Sequence, residues 1–199
     1  RGETVIGADS AHPEEVERLA GLGVEVHLDG PGTELLDRVR AVVKSPGVPA
    51  EAPVIEGARA RDLPVLGELE VAWRLLPNRF IGVTGTNGKT TVTEWIGHLH
   101  REAGVSVEVA GNVGSPLSDL VGRADEAATI VAECSSFQLE DTIDFAPECG
   151  VLLNVAVDHL DRHGTMGRYR AAKLRMFANQ ESGDFAVVPA LEADAVRPT

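Results

Sequence analysis

Phe80-Ile81-Gly82-Val83-Thr84 is a largely apolar run that opens directly into Gly85-Thr86-Asn87-Gly88-Lys89-Thr90-Thr91 and then into a helical pattern. Glycines at such a junction let the backbone turn tightly. The amides at a helix N-terminus then supply N–H donors and a dipole that suit phosphate. Lys89 adds a point charge towards the β/γ-phosphates of a nucleotide, and the Thr90 hydroxyl is a ligand type for Mg²⁺. Gly85, Thr86, Asn87, Gly88, Lys89, Thr90 and Thr91 are therefore the candidate phosphate-binding residues. The pattern is a variant: Val83 stands where G-x-x-x-x-G-K-[ST] has its first glycine, and G-x-x-G-K-T from Gly85 is what remains.

Further chemistry-bearing side chains follow apolar runs downstream. Residues 129–133 form an apolar strand pattern that ends in Glu133, and ligands gather at the carboxyl ends of parallel strands. Glu133 could there hold Mg²⁺ directly or through water, or it is an ordinary polar strand end. Ser135-Ser136-Phe137-Gln138 reads by itself as a polar turn with helix-capping serines. After the run at 151–154 comes Asp158-His159-Leu160-Asp161-Arg162-His163, where His159 is a candidate metal or substrate ligand. Asp158 and Asp161 either are solvated or orient a neighbouring ring. Lys173 sits among small residues, and its surroundings in the sequence do not separate a surface lysine from a functional one. Gly111-Asn112-Val113-Gly114 is either a plain turn or a rim of the same crevice, where the Asn112 amide can donate and accept.

These residues need elements to hold them. Nearly continuous apolar runs at 4–8, 24–28, 41–44, 80–84, 105–109, 129–133, 151–154 and 185–188 predict parallel strands buried on both faces. Helices are expected at 13–20, at 90–103 with Val92, Ile96, Leu99 and Ala103 on one stripe, and at 166–179 behind a Thr165 cap. The βαβ rhythm predicts an α/β class. A domain boundary is expected near Pro77-Asn78, giving domains 1–77 and 78–199. Both ends read as cut, because no glycine-rich strand–turn–helix opens the first domain and the tail halts just after a strand.

Composition narrows the partners. The 199 residues carry 18 Lys+Arg against 31 Asp+Glu, a net charge of −13, which disfavours nucleic acid and anionic membrane. A polyanionic small molecule stays compatible with this charge, because distant charges are screened beyond about 8 Å and local donors can prevail. No apolar run is long enough to span a membrane, no signal segment is visible, and Cys134 and Cys149 are not spaced as a metal cage, so a cytoplasmic protein with reduced thiols is expected. No G-x-G-x-x-G follows a strand, which argues against a dinucleotide oxidoreductase.

Taken together, the blocks Ser45-Pro46-Gly47-Val48, Gly82 to Thr91, Gly111-Asn112-Val113-Gly114, Glu133-Cys134-Ser135-Ser136-Phe137-Gln138-Leu139-Glu140, Asn154 to His163 and Tyr169-Arg170-Ala171-Ala172-Lys173 resemble the Mur ligase family. The Ser-Ser-Phe-Gln-Leu-Glu run points to its D-glutamate-adding branch, with Cys134 departing from the expected Leu at a spacer position. The resemblance implies a Rossmann-like domain for a UDP-sugar, then a P-loop ATPase central domain, both incomplete in this chain. It implies ATP and Mg²⁺ as cofactors and an ATP-dependent amide ligation of D-glutamate to UDP-N-acetylmuramoyl-L-alanine through an acyl phosphate, in a monomer. The isolated chain is expected to be inactive. By the same resemblance Asp9 and Ser10 hold the uridine, and Ser45, Pro46 and Gly47 lie near the diphosphate. Asn112, Ser135, Gln138 and His159 line the muramoyl substrate and metals. Lys89 and Thr90 serve the γ-phosphate and Mg²⁺, and Glu133 is a further Mg²⁺ ligand. Lys173 falls at a position that is carbamylated in the family and then supports a second metal, which makes Lys89, His159 and Lys173 the catalytic set. A sister Mur ligase, a folylpolyglutamate synthase-like ligase and a non-enzymatic nucleotide-binding fragment are the alternatives.

Overall fold

The computed structural model describes residues 3–11 and 15–196, and the chain forms two compact units, Arg1–Val65 and Leu66–Thr199. In the first, strands β1 (Ile6–Asp9) and β2 (Glu25–Leu28) pair in parallel, with Ile6 opposite Glu25 and Asp9 opposite Leu28. Helix α1 (Val16–Gly21) connects them; the first residues of the helix expected at 13–20 lie partly outside the described residues. Strand β3 (Val42–Lys44) follows, then α2 (Pro53–Arg59), whose Pro53 opens the helix where a missing N–H costs nothing. Leu35 and Leu36, on a 3₁₀ turn, share the small interior with Ile55 and Ala58 of α2.

Strand β4 (Val65–Gly67) runs across the boundary, which therefore falls twelve residues before the expected one at 77/78. The reason is α3 (Glu68–Leu75): its Leu69 and Ala72 are fully buried in one core with Phe80, Ile130, Leu139 and Phe145 of the second unit. The carboxylate of Glu70, also fully buried, accepts the N–H groups of Ile143, Asp144 and Phe145 at 2.9, 3.1 and 3.1 Å and the Arg74 Nε–H at 2.7 Å. Hydrophobicity reading alone passes over such an anchor.

The second unit is built on a five-stranded sheet in the order β6-β7-β5-β8-β9, all neighbours parallel. The strands are β5 (Arg79–Thr84), β6 (Val107–Gly111), β7 (Thr129–Glu133), β8 (Cys149–Leu152) and β9 (Phe185–Val187). Alternate residues feed two cores: Phe80, Ile130 and Leu152 on the α3 side, Val83, Val131 and Val151 on the other. Two covered faces are what the near-continuous apolar strands β5, β7 and β8 require, whereas β9 at the sheet's end is exposed along its length, against the expectation of burial on both faces.

Helix α4 (Lys89–Glu102) lies over β6 and β7, but not by the expected stripe: Val92 and Ile96 pack inwards, whereas Leu99 is 64% exposed and Ala103 is exposed. Thr93 and Gly97 take the buried places instead. The close approach is the cause, since a Cβ on Gly97 would stand 2.4 Å from Val109 Cγ2. Helices α5 (Ser136–Leu139), α6 (Leu160–His163) and α7 (Met166–Leu174) complete the unit, and α7 gives way to a 3₁₀ turn at Arg175–Phe177 rather than running on to 179. Among the described residues no helix is long and apolar enough to cross a membrane.

Removing a buried charge's partner leaves the other groups unpaired, at a cost of about 3–5 kcal/mol. Glu70→Ala is therefore expected to lower unfolding free energy by about 3 kcal/mol in urea titration, and Glu70→Gln by less. A loss below about 0.5 kcal/mol would show that the 143–145 loop does not depend on this carboxylate.

Candidate functional site

Strand β5 lies between β7 and β8, and the parallel register sets Val83 opposite Glu133 and Thr84 opposite Leu152. The segments that follow all three strands thus emerge at one edge, around the turn at residues 85–88. The Thr90 hydroxyl, in the first turn of α4, donates to the Glu133 carboxylate at 2.7 Å. Asn112 joins them: its side-chain amide donates to the other Glu133 oxygen at 3.1 Å and its backbone N–H to the Glu133 carbonyl at 2.9 Å. Gly111 makes that approach feasible, with φ of 130° and no room for a Cβ, which would fall 2.2 Å from the Glu133 carbonyl oxygen. The 111–114 segment is therefore tied to the end of β7 through Asn112.

The loop's own peptide groups are bound from outside. Thr86 N–H donates to the Asn154 carbonyl at 3.0 Å, Asn87 N–H to Asn154 Oδ1 at 3.0 Å, and Asn154 Nδ2 to the Asn87 carbonyl at 3.0 Å. The Thr86 hydroxyl accepts the Ala156 N–H at 2.9 Å and lies 3.2 Å from the Tyr169 hydroxyl. This corrects one expectation: the amides of Thr86 and Asn87 are engaged by Asn154 and do not face a phosphate. The N–H groups of Gly88, Lys89, Thr90 and Thr91 are the ones that the helix leaves without intrahelical partners, its first bond running from Val92 N–H to the Gly88 carbonyl. The Lys89 ammonium donates to the Thr86 carbonyl at 3.0 Å, and so lies across the loop.

Lys173 is not a surface lysine. It is 1% exposed, its ammonium donates to the Gly85 carbonyl at 2.8 Å and stands 4.5 Å from the Tyr169 ring centre. Burial, then the nearby charge of Lys89, pushes its pKa down to about 8. His159 adopts a left-handed backbone with φ of 49°, and its half-exposed ring lies 3.5 Å from an Asp158 carboxylate oxygen. Asp158 thus stands beside that ring and accepts the His159 backbone N–H at 2.9 Å, while Asp161 is exposed. The His159 ring stands 5.0 Å from Phe137 and 6.1 Å from Tyr169.

Ser135 and Gln138 face each other in a capping box at the start of α5. Gln138 N–H donates to Ser135 Oγ at 3.2 Å, and Ser135 N–H to Gln138 Oε1 at 2.9 Å. In the first unit, Asp9, Ser10, Ser45 and Gly47 line one cleft of about 520 Å³ together with Lys44 and Gly32; Pro46 is not in its lining. Sequence reasoning missed Asn154 and Tyr169 as loop-holding residues, and also His163. The last is buried, with Nε2 3.0 Å from Ser136 Oγ and Nδ1 3.7 Å from the Glu140 carboxylate. Only the short spacing of Asn154 from the strand end hinted at a role.

The donors beside the loop are a hydroxyl and one carboxylate. Among the described residues no three carboxylate, imidazole or thiol groups converge. Such a sparse oxygen set fits a hard ion that keeps waters and phosphate oxygens, as Mg²⁺ does, and does not fit a zinc cage.

Residues 83–196 match the family model described as the Mur ligase middle domain. The chain belongs to the Mur ligase family. It is 49% identical over 193 residues to the UDP-N-acetylmuramoylalanine--D-glutamate ligase of Pelotomaculum thermopropionicum, covering 94% of this chain and 42% of that relative. It is 43% identical over 186 residues to the protein of the same name from Desulfatibacillum aliphaticivorans, covering 94% and 40%. The chain thus spans about two fifths of the length of the curated relatives it matches. Among solved structures, the UDP-N-acetylmuramate:L-alanyl-gamma-D-glutamyl-meso-diaminopimelate ligase from Neisseria meningitides superposes with a TM-score of 0.58 at 20% identity, over 94% of this chain and 63% of that one. That likeness shows a Mur ligase fold.

His163 supplies a pH test of this region. Desolvation holds its pKa below the ordinary 6.5, so at lower pH the unfolded chain takes up the proton first. Its contribution is complete above pH 6.5 and is lost as pH falls towards the depressed folded value. Denaturant titrations are expected to give stability that declines below pH 6.5, with a shallower decline in His163→Gln; equal slopes would refute the assignment.

Proposed function

We propose that this chain carries the ATP-handling part, and the UDP-sugar-holding part, of a ligase that joins D-glutamate to UDP-N-acetylmuramoyl-L-alanine. The observation that carries the reading is the Thr90–Glu133 contact at 2.7 Å beside the Lys89 ammonium, at the carboxyl edge of a parallel sheet. The shared identity with D-glutamate ligases supports the choice of substrate.

A carboxylate and ATP repel each other, and the carboxylate is a poor electrophile. In the proposed reaction a carboxylate oxygen of the L-alanyl group attacks the γ-phosphorus, ADP leaves, and an acyl phosphate forms. The D-glutamate amine then attacks the acyl carbon, inorganic phosphate departs, a proton is lost and the amide remains. The protein's share is positioning and charge neutralisation. The N–H groups of Gly88 to Thr91 and the α4 dipole receive the phosphates. Lys89 shifts from the Thr86 carbonyl to the transferred group. Thr90 and Glu133 would hold Mg²⁺, which when bound neutralises charge on the phosphate oxygens.

Asn112, Ser135, Gln138 and His159 are the proposed muramoyl-side contacts, with Asp9, Ser10, Ser45, Pro46 and Gly47 proposed for the uridine and diphosphate. Lys173, with its pKa near 8, has a substantial neutral fraction at working pH, which is the form that takes up CO₂. Carbamylation of Lys173 is accordingly part of the proposal, and the product keeps one N–H for the Gly85 carbonyl.

The test uses the full-length protein that carries this chain. ADP release is expected only when UDP-N-acetylmuramoyl-L-alanine and D-glutamate are both supplied, and Lys89→Ala should lower turnover at least 100-fold, the scale seen for loss of one transition-state donor. Near-wild-type turnover by Lys89→Ala would remove Lys89 from the mechanism. ADP release with a different amino acid in place of D-glutamate would assign the chain to a sister ligase.

A further inference from the structure

Three successive carbonyls of the loop each receive a side-chain donor. Gly85 O takes the Lys173 ammonium at 2.8 Å, Thr86 O the Lys89 ammonium at 3.0 Å, and Asn87 O the Asn154 amide at 3.0 Å. Two of these donors are cations with other work in the proposed reaction. Asn154 is neutral and does more than the others. Its carbonyl accepts Thr86 N–H and its Oδ1 accepts Asn87 N–H, so one residue holds three consecutive peptide planes, 85–86, 86–87 and 87–88.

Planarity turns this into a directional effect. In a trans peptide the C=O and N–H of one unit point in opposite directions. Holding the Asn87 carbonyl on Asn154 therefore directs the Gly88 N–H away from Asn154, and Gly88 is the first of the four amides that α4 leaves unpaired. The loop has Val83 in place of the first glycine of the longer motif, and its shape is set from the neighbouring strand's exit. Donors already fixed before a ligand arrives bind it without the cost of ordering them.

We propose that Asn154 is the positioning residue of the phosphate loop: it fixes the peptide planes around Asn87 and so aims the Gly88 N–H as a phosphate donor. The inference rests on the nucleotide reading above and adds to it a residue whose part is to shape the loop, without contact with the phosphates.

The experiment uses the full-length protein that carries this chain, the imido analogue of ATP with Mg²⁺ as the probe, calorimetry for affinity and amide hydrogen exchange without nucleotide. In Asn154→Ala, exchange at Asn87 N–H should rise at least 10-fold and the dissociation constant about 10-fold, the scale of one or two net hydrogen bonds. Asn154→Asp keeps an acceptor but loses the donor. Protection at Asn87 should then persist while affinity stays below wild type, a split that simple loosening of the fold would not give. A wild type that binds alongside an Asn154→Ala chain that binds equally well overturns the Asn154 role, even if the variant melts at a lower temperature. A wild type that binds no nucleotide overturns the nucleotide reading, and this inference with it; unchanged Asn87 exchange in Asn154→Ala overturns the inference alone.

Discussion

Everything at the candidate site depends on one constraint: the peptide groups of residues 85–88 must be paired while the amides at the start of α4 stay free of intrahelical partners. A turn that satisfied its own carbonyls would collapse on itself. Here the partners come from other segments, Lys173 on α7, Lys89 on α4 and Asn154 after β8. With carbonyls held on that side, the amides at the start of α4 stay unpaired, where the helix dipole also favours negative charge.

The electrostatics follow the same logic. A chain of net charge −13 concentrates two ammonium groups on adjacent carbonyls of one turn. Burial, and after it the nearby Lys89 charge, lowers the pKa of Lys173 to about 8. On the nucleotide reading proposed above, an incoming phosphate relieves the repulsion between the two cations and is favoured locally against the field of the whole molecule. Glu133 sits 3% exposed at the same edge, tied to Thr90 and Asn112. Anionic and cationic groups thus converge at one sheet edge, which suits the nucleotide and divalent ion of the proposed reaction.

Reading the sequence recovered much of this and failed in instructive places. Strand β7 agrees with expectation at both ends and β9 differs by one residue, because β-rich apolar runs of that length have few other uses. The four-residue helices α5 and α6 and the helix α3 were not anticipated; the first two are too short for a 3.6-residue period to register, and α3 reads as part of a preceding domain until its burial against Phe80 is known. The stripe on α4 was displaced by Gly97, whose missing side chain matters only once Val109 lies above it. From its own surroundings in the sequence Lys173 was indistinguishable from a surface lysine, and only the family resemblance singled it out, since burial is a property of what packs over a residue.

What the sequence determined by itself is the parallel-strand class, from the rhythm of apolar runs, the strand–turn–helix with its Lys and Thr, and the family resemblance, each read from short blocks of neighbouring residue types. What only the tertiary structure decided is which distant groups meet. Asn154 reaches Asn87 across 67 positions and Lys173 reaches Gly85 across 88, and no periodicity links them. The order β7-β5-β8 decides it, because only strands adjacent to β5 deliver their exits to its loop, and adjacency in a sheet is settled by packing of both faces and not by proximity along the chain.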